Sequence, residues 1–334
     1  MRPTGRLHLG HLVGALKNWA ALQDQYDCFY FVADWHALTS EYADTRALVE
    51  NALDNAADWI AAGLDPERST LFVQSLVPEH AELYLLLSMV VPIPWLERVP
   101  TYKEQREQLS EKDLSTIGFL GYPLLQTADV AVYDAPYVPV GEDQVPHLEL
   151  SREVVRRFNN FYGQKLGVRD GETIVAPVLV EPQPLLTSFA RLPGLDNRKM
   201  SKSYGNAIDL SDAAESVRKK VMSMYTDPKR IRADIPGTVE GNPVFMYHDA
   251  FNANLEEVED LKSRYRQGKV GDVEVKRKLA AALESVLEPM RERRAQALAN
   301  PGRIREMLFE GSARARKVAQ ETMERVREAV RIRY

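Results

Sequence analysis

Cysteine is almost absent from this chain. Cys28 is the only one among 334 residues, which excludes an intrachain disulfide and a cysteine-built zinc site and makes a reducing cytoplasm the expected compartment. Also missing is any apolar run long enough to span a bilayer, and the first residues carry no signal-peptide pattern, so neither a membrane span nor export is expected. No internal repeat or low-complexity tract is present. An excess of positive charge is lacking too, since 43 Lys and Arg against 48 Asp and Glu give a net charge of -5. That total would argue against an RNA partner if the charge were evenly spread. It is not: from Lys276 onward the basic residues clearly outnumber the acids, and local basic faces steer nucleic acid more than overall charge does. The same arginines can equally solubilise helices by pairing with Glu288, Glu292, Glu306, Glu324 and Glu328, and the sequence leaves both readings open.

What is present reads as an ordinary soluble protein, 45% hydrophobic and 27% charged, whose length exceeds what one core usually organises. In the first half, apolar runs at 28–33 and 70–73 read as buried strands, with amphipathic helices at 45–62 and 81–91. Strand, helix and strand at these spacings predict an α/β fold with a doubly wound parallel sheet, whose ligands bind beyond the carboxyl ends of the strands. Asp34-Trp35-His36 sits at such an end, where His36 can line a pocket or be a satisfied structural histidine. Pro92, Pro94 and Pro100 then break the pattern before a charged stretch, 103–113, that reads as an exposed insertion.

Two anomalies follow. Pro123 suits a first helical turn, and the helix it opens carries Asp129, a lone carboxylate among apolar neighbours that is costly to bury unless something donates to it. The strand 138–140 runs into Gly141-Glu142-Asp143-Gln144 and a helix over 145–161. Its acids can be helix caps, or can reach ribose hydroxyls or a ligand ammonium. Beyond Gly205 strand patterns disappear and helices dominate: 213–224, 255–266, 275–297 and 304–332. The expected division is a domain at 1–205 with an insertion around 92–180 and a helical domain at 206–334, its last helix able to pack back on the first.

Two short strings carry the chemistry. His8-Leu9-Gly10-His11 opens a helical run, so its imidazoles sit at a helix N-terminus where anions bind, and Gly10 lets a flat ring approach the backbone. Lys199-Met200-Ser201-Lys202-Ser203 gathers two ammonium groups and two hydroxyls in a loop suited to a departing pyrophosphate.

Each string alone is weak, but their pairing in this order resembles the signatures of class I aminoacyl-tRNA synthetases. The likeness narrows to the bacterial-type tryptophanyl-tRNA synthetases through Arg2-Pro3-Thr4-Gly5, Tyr122-Pro123, Ala128-Asp129-Val130, the run 138–144 and Leu192-Pro193-Gly194-Leu195-Asp196. It implies a Rossmann-like nucleotide-binding domain followed by a helical anticodon-binding domain. The implied enzyme activates L-tryptophan with ATP and passes it to tRNA(Trp), with Mg²⁺ held through the ATP phosphates, no metal site on the protein, and a cytoplasmic homodimer. Position by position, the resemblance implies ATP contacts from Arg2, Pro3, Thr4, Gly10, His11, Gly141, Glu142, Asp143, Leu192, Lys199, Met200, Ser201, Lys202 and Ser203. His8, His11, Lys199, Lys202 and Lys112 would act on phosphates. Asp129 would receive the indole N–H, with Gln144, Tyr122 and His36 completing the amino-acid pocket.

Two departures stand out. Many bacterial members have Thr and Asn where His8 and His11 stand. The family also begins with a short strand that walls the pocket, whereas here Met1 directly precedes Arg2, so either upstream residues are missing or the pocket is open at that wall. The alternatives are a tyrosyl-type relative and a catalytically inactive RNA-binding paralogue; the intact signatures argue against the second.

Overall fold

The computed structural model describes the chain apart from residues 101, 103–112, 170, 171, 187–191, 201–203, 229 and 231. Its first half is built on strands that are buried on both faces. In β1 (Cys28–Val32) the side chains alternate, and Cys28, Tyr30 and Val32 enter one apolar cluster while Phe29 and Phe31 pack against another. The strand is thus the middle layer of a sandwich of helices. Before it runs a continuous helix, α1, over residues 9–22, whose α-helical ends flank a π-helical segment at Leu12–Leu16. After it come α2 (Asp34–Glu41), α3 (Leu48–Ala61) and β2 (Ser69–Val73). β1 and β2 pair in parallel from Cys28 opposite Ser69 to Val32 opposite Val73. The crossover helix α3 is buried on two sides: Ala52, Trp59 and Ala61 enter the cluster that holds Cys28, Tyr30 and Val32, and Ala56 and Ala57 pack with Ile304 and Leu308.

The chain continues through α4 (Glu79–Ser88), α5 (Ile93–Glu97), α6 (Ile117–Leu120) and α7 (Tyr122–Ala131), the last with proline in its first turn. β3 (Tyr137–Val140) leads into α8 (Val145–Tyr162). An antiparallel hairpin, β4 (Gln164–Arg169) with β5 (Glu172–Ala176), and a strand β6 (Gln183–Leu186) that pairs in parallel with β3 were not legible in the sequence pattern. These short strands lack the continuous apolar run that marks β1, and β4 is largely exposed. The fold is accordingly α/β with parallel strand pairs, β1–β2 and β3–β6.

From residue 206 every regular element among the described residues is a helix: α9 (Ala214–Met222), α10 (Pro243–Phe251), α11 (Leu255–Arg266), α12 (Asp272–Leu298) and α13 (Pro301–Ala329). The change of composition after Gly205 is not a break in packing. The segment just beyond it returns to the first signature, where the Leu9 N–H donates to the Ile208 carbonyl at 3.0 Å and the Leu210 N–H to the Leu7 carbonyl at 2.8 Å. One apolar cluster holds Leu7, Leu9, Tyr30 and Trp59 together with Val217, Phe245, Leu279 and Leu283.

The final helix lies across β2. The backbone of Gly311 comes so close that a Cβ there would sit 1.9 Å from the Leu71 carbonyl oxygen, and the next hydroxyl, Ser312 Oγ, accepts from the Val73 N–H at 3.2 Å. Arg316 pairs with Glu79 at 3.0 Å, and Arg327 and Arg325 reach Glu82 and Asp134. On α12, Arg294 pairs with Asp54 at 2.6 Å and Asp58 at 2.8 Å. Many tail arginines therefore meet acids of the first half, not the glutamates beside them in sequence. Burial pushes the Asp58 carboxyl up to about 6, against the lowering effect of Arg294.

Because the Leu71 carbonyl is sheet backbone and cannot move aside, Gly311→Ala is expected to cost about 3 kcal/mol by overpacking. Urea unfolding measures this, and a loss below about 0.5 kcal/mol would mean that the helix can shift off the strand.

Candidate functional site

The first signature folds into a reciprocal cap. His8 Nδ1 accepts from the Gly10 N–H at 3.1 Å and His11 Nδ1 accepts from the His8 N–H at 3.1 Å, with the two rings 3.8 Å apart. A neutral imidazole that accepts at Nδ1 carries its proton on Nε2, so each ring presents an N–H donor. Both rings line a cavity of about 970 Å³ at the start of α1. That cavity also gathers Gly10, Gly141, Glu142, Asp143, Gln144, Leu192, Lys199 and Met200, residues that lie up to 192 positions apart in the sequence. Its floor at Gly10 is tight, since a Cβ there would lie 3.0 Å from the His8 ring and from Met200 Sδ.

The stem of the second signature is tightly folded. The Gly194 N–H donates to the Arg198 carbonyl at 2.7 Å, and Asn206 Nδ2 bonds Asp196 at 2.8 Å and the Lys199 carbonyl at 3.1 Å. Asn197 holds a left-handed φ of 65° at the turn. Arg198 is tied to Asp196, whose carboxyl the Asn206 amide and Arg198 hold down at about 2. Ser201, Lys202 and Ser203 lie outside the described residues, as does Lys112.

Arg2, Pro3, Thr4, Tyr122 and His36 do not line this cavity. Arg2 donates to Ser40 Oγ at 2.8 Å, and its guanidinium is lowered by burial against the raising effects of Glu41 and Tyr122. Tyr122 is buried beside His147, ring centroids 5.6 Å apart, and burial lowers that imidazole to about 4.

Asp129 lines a second cavity, of about 460 Å³, between β1 and β3, which meets the first at Pro139. This cavity runs along residues 28–31 and 136–139, whereas Met1, whose carbonyl accepts from the Ala33 N–H at 2.8 Å, lines the first. Asp129 is 5% exposed, and its carboxylate accepts three hydrogen bonds from the protein. His36 Nε2 lies 2.7 Å from Oδ2; Gln74 Nε2 and His80 Nδ1 lie 2.7 Å and 2.6 Å from Oδ1. Burial opposes its charge, but His36, by its charge and its hydrogen bond, and the hydrogen bond from His80 outweigh that and hold the carboxyl well below the carboxylate range. Behind His80, the Tyr133 hydroxyl is 2.7 Å from Nε2. The residue pattern flagged Asp129 and His36 but missed Gln74, His80 and Tyr133. Their partners are 49 or more residues away, and the one available signal was the demand of a buried acid for donors.

Residues 1–288 match the model of the tRNA synthetases class I (W and Y). The chain belongs to that family. It is 44% identical to the tryptophan–tRNA ligase of Ralstonia nicotianae, over 100% of this chain and 98% of the relative, and 47% identical to that of Thermotoga maritima, again over 100% and 98%. Among solved structures, the tryptophanyl-tRNA synthetase of Campylobacter jejuni complexed with ADP and tryptophan superposes with a TM-score of 0.83 at 31% identity, covering 99% of this chain and 98% of that one. This synthetase family is defined by an enzymatic reaction; the paired signatures line the first cavity and the buried acid lines the second.

The depressed Asp129 ionisation has a stability consequence. A folded carboxyl held below its ordinary 3.8 contributes stability above that value and loses it as pH falls toward the folded pKa. Wild type should therefore exceed Asp129→Asn in urea stability at pH 7, and the gap should narrow below about pH 4. A gap constant from pH 7 to pH 3 would contradict the assigned ionisation.

Proposed function

We propose that this chain is a tryptophan–tRNA ligase that activates L-tryptophan with ATP and transfers it to the 3′-terminal adenosine of tRNA(Trp). The reading is carried by the valence of Asp129. A carboxylate offers about four lone-pair directions. Three are taken, two on Oδ1 and one on Oδ2, which leaves one acceptor site on Oδ2 in a carboxylate that lines an otherwise mostly apolar cavity. An indole N–H, which donates and cannot accept, satisfies that site. Gln144, on the larger cavity, would hold the amino-acid head group, with Tyr122, which lines neither cavity, a further contact that the resemblance implies, and His36 fixes the carboxylate through Oδ2, the oxygen that carries the open site.

In the first step a tryptophan carboxylate oxygen bonds to the α-phosphorus of ATP and the bond to the bridging oxygen breaks, releasing pyrophosphate. The Nε2–H donors of His8 and His11 and the ammonium of Lys199, with Lys202 and Lys112 expected beside it, meet the negative charge that builds on the leaving group. Gly10, Gly141, Glu142, Asp143, Leu192 and Met200 line the cavity that would take the nucleotide; Arg2, Pro3 and Thr4, which do not line it, and Ser201 and Ser203 are further contacts that the family resemblance implies. Mg²⁺ would enter on the ATP phosphates and neutralise part of their charge; among the described residues no group of three or more His, Cys, Asp and Glu side chains gathers to hold a metal. In the second step a ribose hydroxyl of the terminal adenosine attacks the acyl carbon of the adenylate, gives up its proton, and AMP leaves.

A homodimer is supported by an apolar stripe. Ala81, Leu85 and Met89 recur every four residues along α4 and its end, Leu85 and Met89 being 53% and 68% exposed, next to an apolar hollow lined by Trp35, Leu38, Tyr84 and Leu125. For tRNA, the exposed basic residues of α13, Arg303, Arg305 and Lys317, are the candidates on the helical part at 206–334. Among the described residues no helix is long and apolar enough to cross a membrane, and work on tRNA fits the cytoplasm.

Amino-acid-dependent exchange of pyrophosphate into ATP tests the assignment: tryptophan should support it and tyrosine should not. Asp129→Ala removes a charge-assisted hydrogen bond of about 1.5 to 3 kcal/mol, so kcat/KM for tryptophan should fall roughly tens- to hundreds-fold, with a smaller loss or a gain for phenylalanine. An unchanged tryptophan-to-phenylalanine preference would mean that this carboxylate reads something else. Lys199→Ala should lower the activation rate by about two orders of magnitude with tryptophan KM nearly unchanged. Lost tryptophan affinity at a normal maximal rate would sink that role.

A further inference from the structure

We infer that His80, backed by the Tyr133 hydroxyl, is a specificity-determining positioning residue, which locks the Asp129 carboxylate in the one orientation that leaves Oδ2 open to the substrate. The inference rests on the reading of Asp129 as the indole acceptor.

His80 is fully buried near the start of α4 and uses both ring nitrogens, Nδ1 at 2.6 Å from Asp129 Oδ1 and Nε2 at 2.7 Å from Tyr133 Oη. An ionised carboxylate only accepts, so Nδ1 carries the proton. Burial, together with the negative charges of Asp129 and Glu79, pushes the Tyr133 hydroxyl far above its ordinary value, so it keeps its proton and donates it to Nε2. Proton order along Tyr133, His80 and Asp129 is thereby fixed in one direction, with a neutral imidazole in one tautomer. The ring cannot swing away, because Phe31, Phe72 and Tyr133 surround it with centroids 5.8, 6.1 and 5.3 Å distant. A carboxylate pinned through Oδ1 by His80 and Gln74 and through Oδ2 by His36 cannot rotate about its own bond without losing three hydrogen bonds. Without His80, Oδ1 regains an open acceptor direction and the carboxylate can turn to meet other ligands. Recognition of one N–H in one place then becomes recognition of any donor nearby.

The test compares tryptophan with its sulfur isostere, in which the ring N–H is replaced by S, as substrates for pyrophosphate exchange. Wild type, His80→Leu, His80→Asn, Tyr133→Phe and Asp129→Ala are measured. In His80→Leu the preference for tryptophan should drop by about tenfold, mainly through tryptophan KM. His80→Asn, which keeps an N–H donor near the Nδ1 position, should restore most of it, and Tyr133→Phe should fall between. A merely structural His80 would reduce both substrates alike and leave the ratio at its wild-type value, which overturns the assignment. If His80→Leu fails to fold, an unchanged ratio in Tyr133→Phe overturns it instead. Asp129→Ala separates the two layers: if that variant keeps the wild-type ratio, the indole reading itself has failed. If it loses the ratio while the His80 and Tyr133 variants keep it, only the His80 assignment has failed.

Discussion

A single buried carboxylate constrains this half of the molecule. Asp129 is charged, nearly sealed from water and placed among apolar side chains, a combination that is stable only while donors surround it. Those donors arrive from three other places: His36 on α2, Gln74 directly after β2 and His80 on α4. Each of these elements must be in register for the charge to be tolerated, so the acid that would read the substrate also ties together the carboxyl ends of the strands.

The same strand ends are braced from outside. β2 delivers Gln74 one residue after Val73, and the Val73 N–H is held by Ser312 on the last helix. Gly311 lets that helix lie on the strand, and Arg316 and Arg327 fasten it to Glu79 and Glu82, neighbours of His80 on α4. The C-terminal helix therefore supports the elements that hold Asp129. This use of tail arginines also accounts for part of their density: several serve docking.

Much of the frame was legible in the sequence because local pattern decides it. The strands at β1 and β2, the helix opened by Pro123 and the helix over 255–266 follow from apolar period and from proline, within a few residues of their observed ends. The two signatures were legible as strings, and their approach across one cavity followed from the resemblance. What local pattern does not encode stayed hidden. β6 pairs with β3 across more than 40 residues, and its alternation is too weak to mark it. The π-helical segment in α1 has no residue signature. His80 falls one residue ahead of the helix read at 81–91, so that pattern did not mark it, although it is fully buried with both nitrogens engaged. Asp129 announced that donors were needed without saying from where, because a long-range hydrogen bond leaves no period in the chain.

The central claim is that the open acceptor site on Asp129 Oδ2 receives an indole N–H, and a crystal structure of the chain with tryptophan bound tests it most directly. The account predicts the indole nitrogen about 2.7 to 3.0 Å from Oδ2, with His80 and Gln74 still on Oδ1 and His36 still on Oδ2. An indole nitrogen bonded to another acceptor, or a carboxylate turned so that one of its three protein donors is displaced, would contradict it.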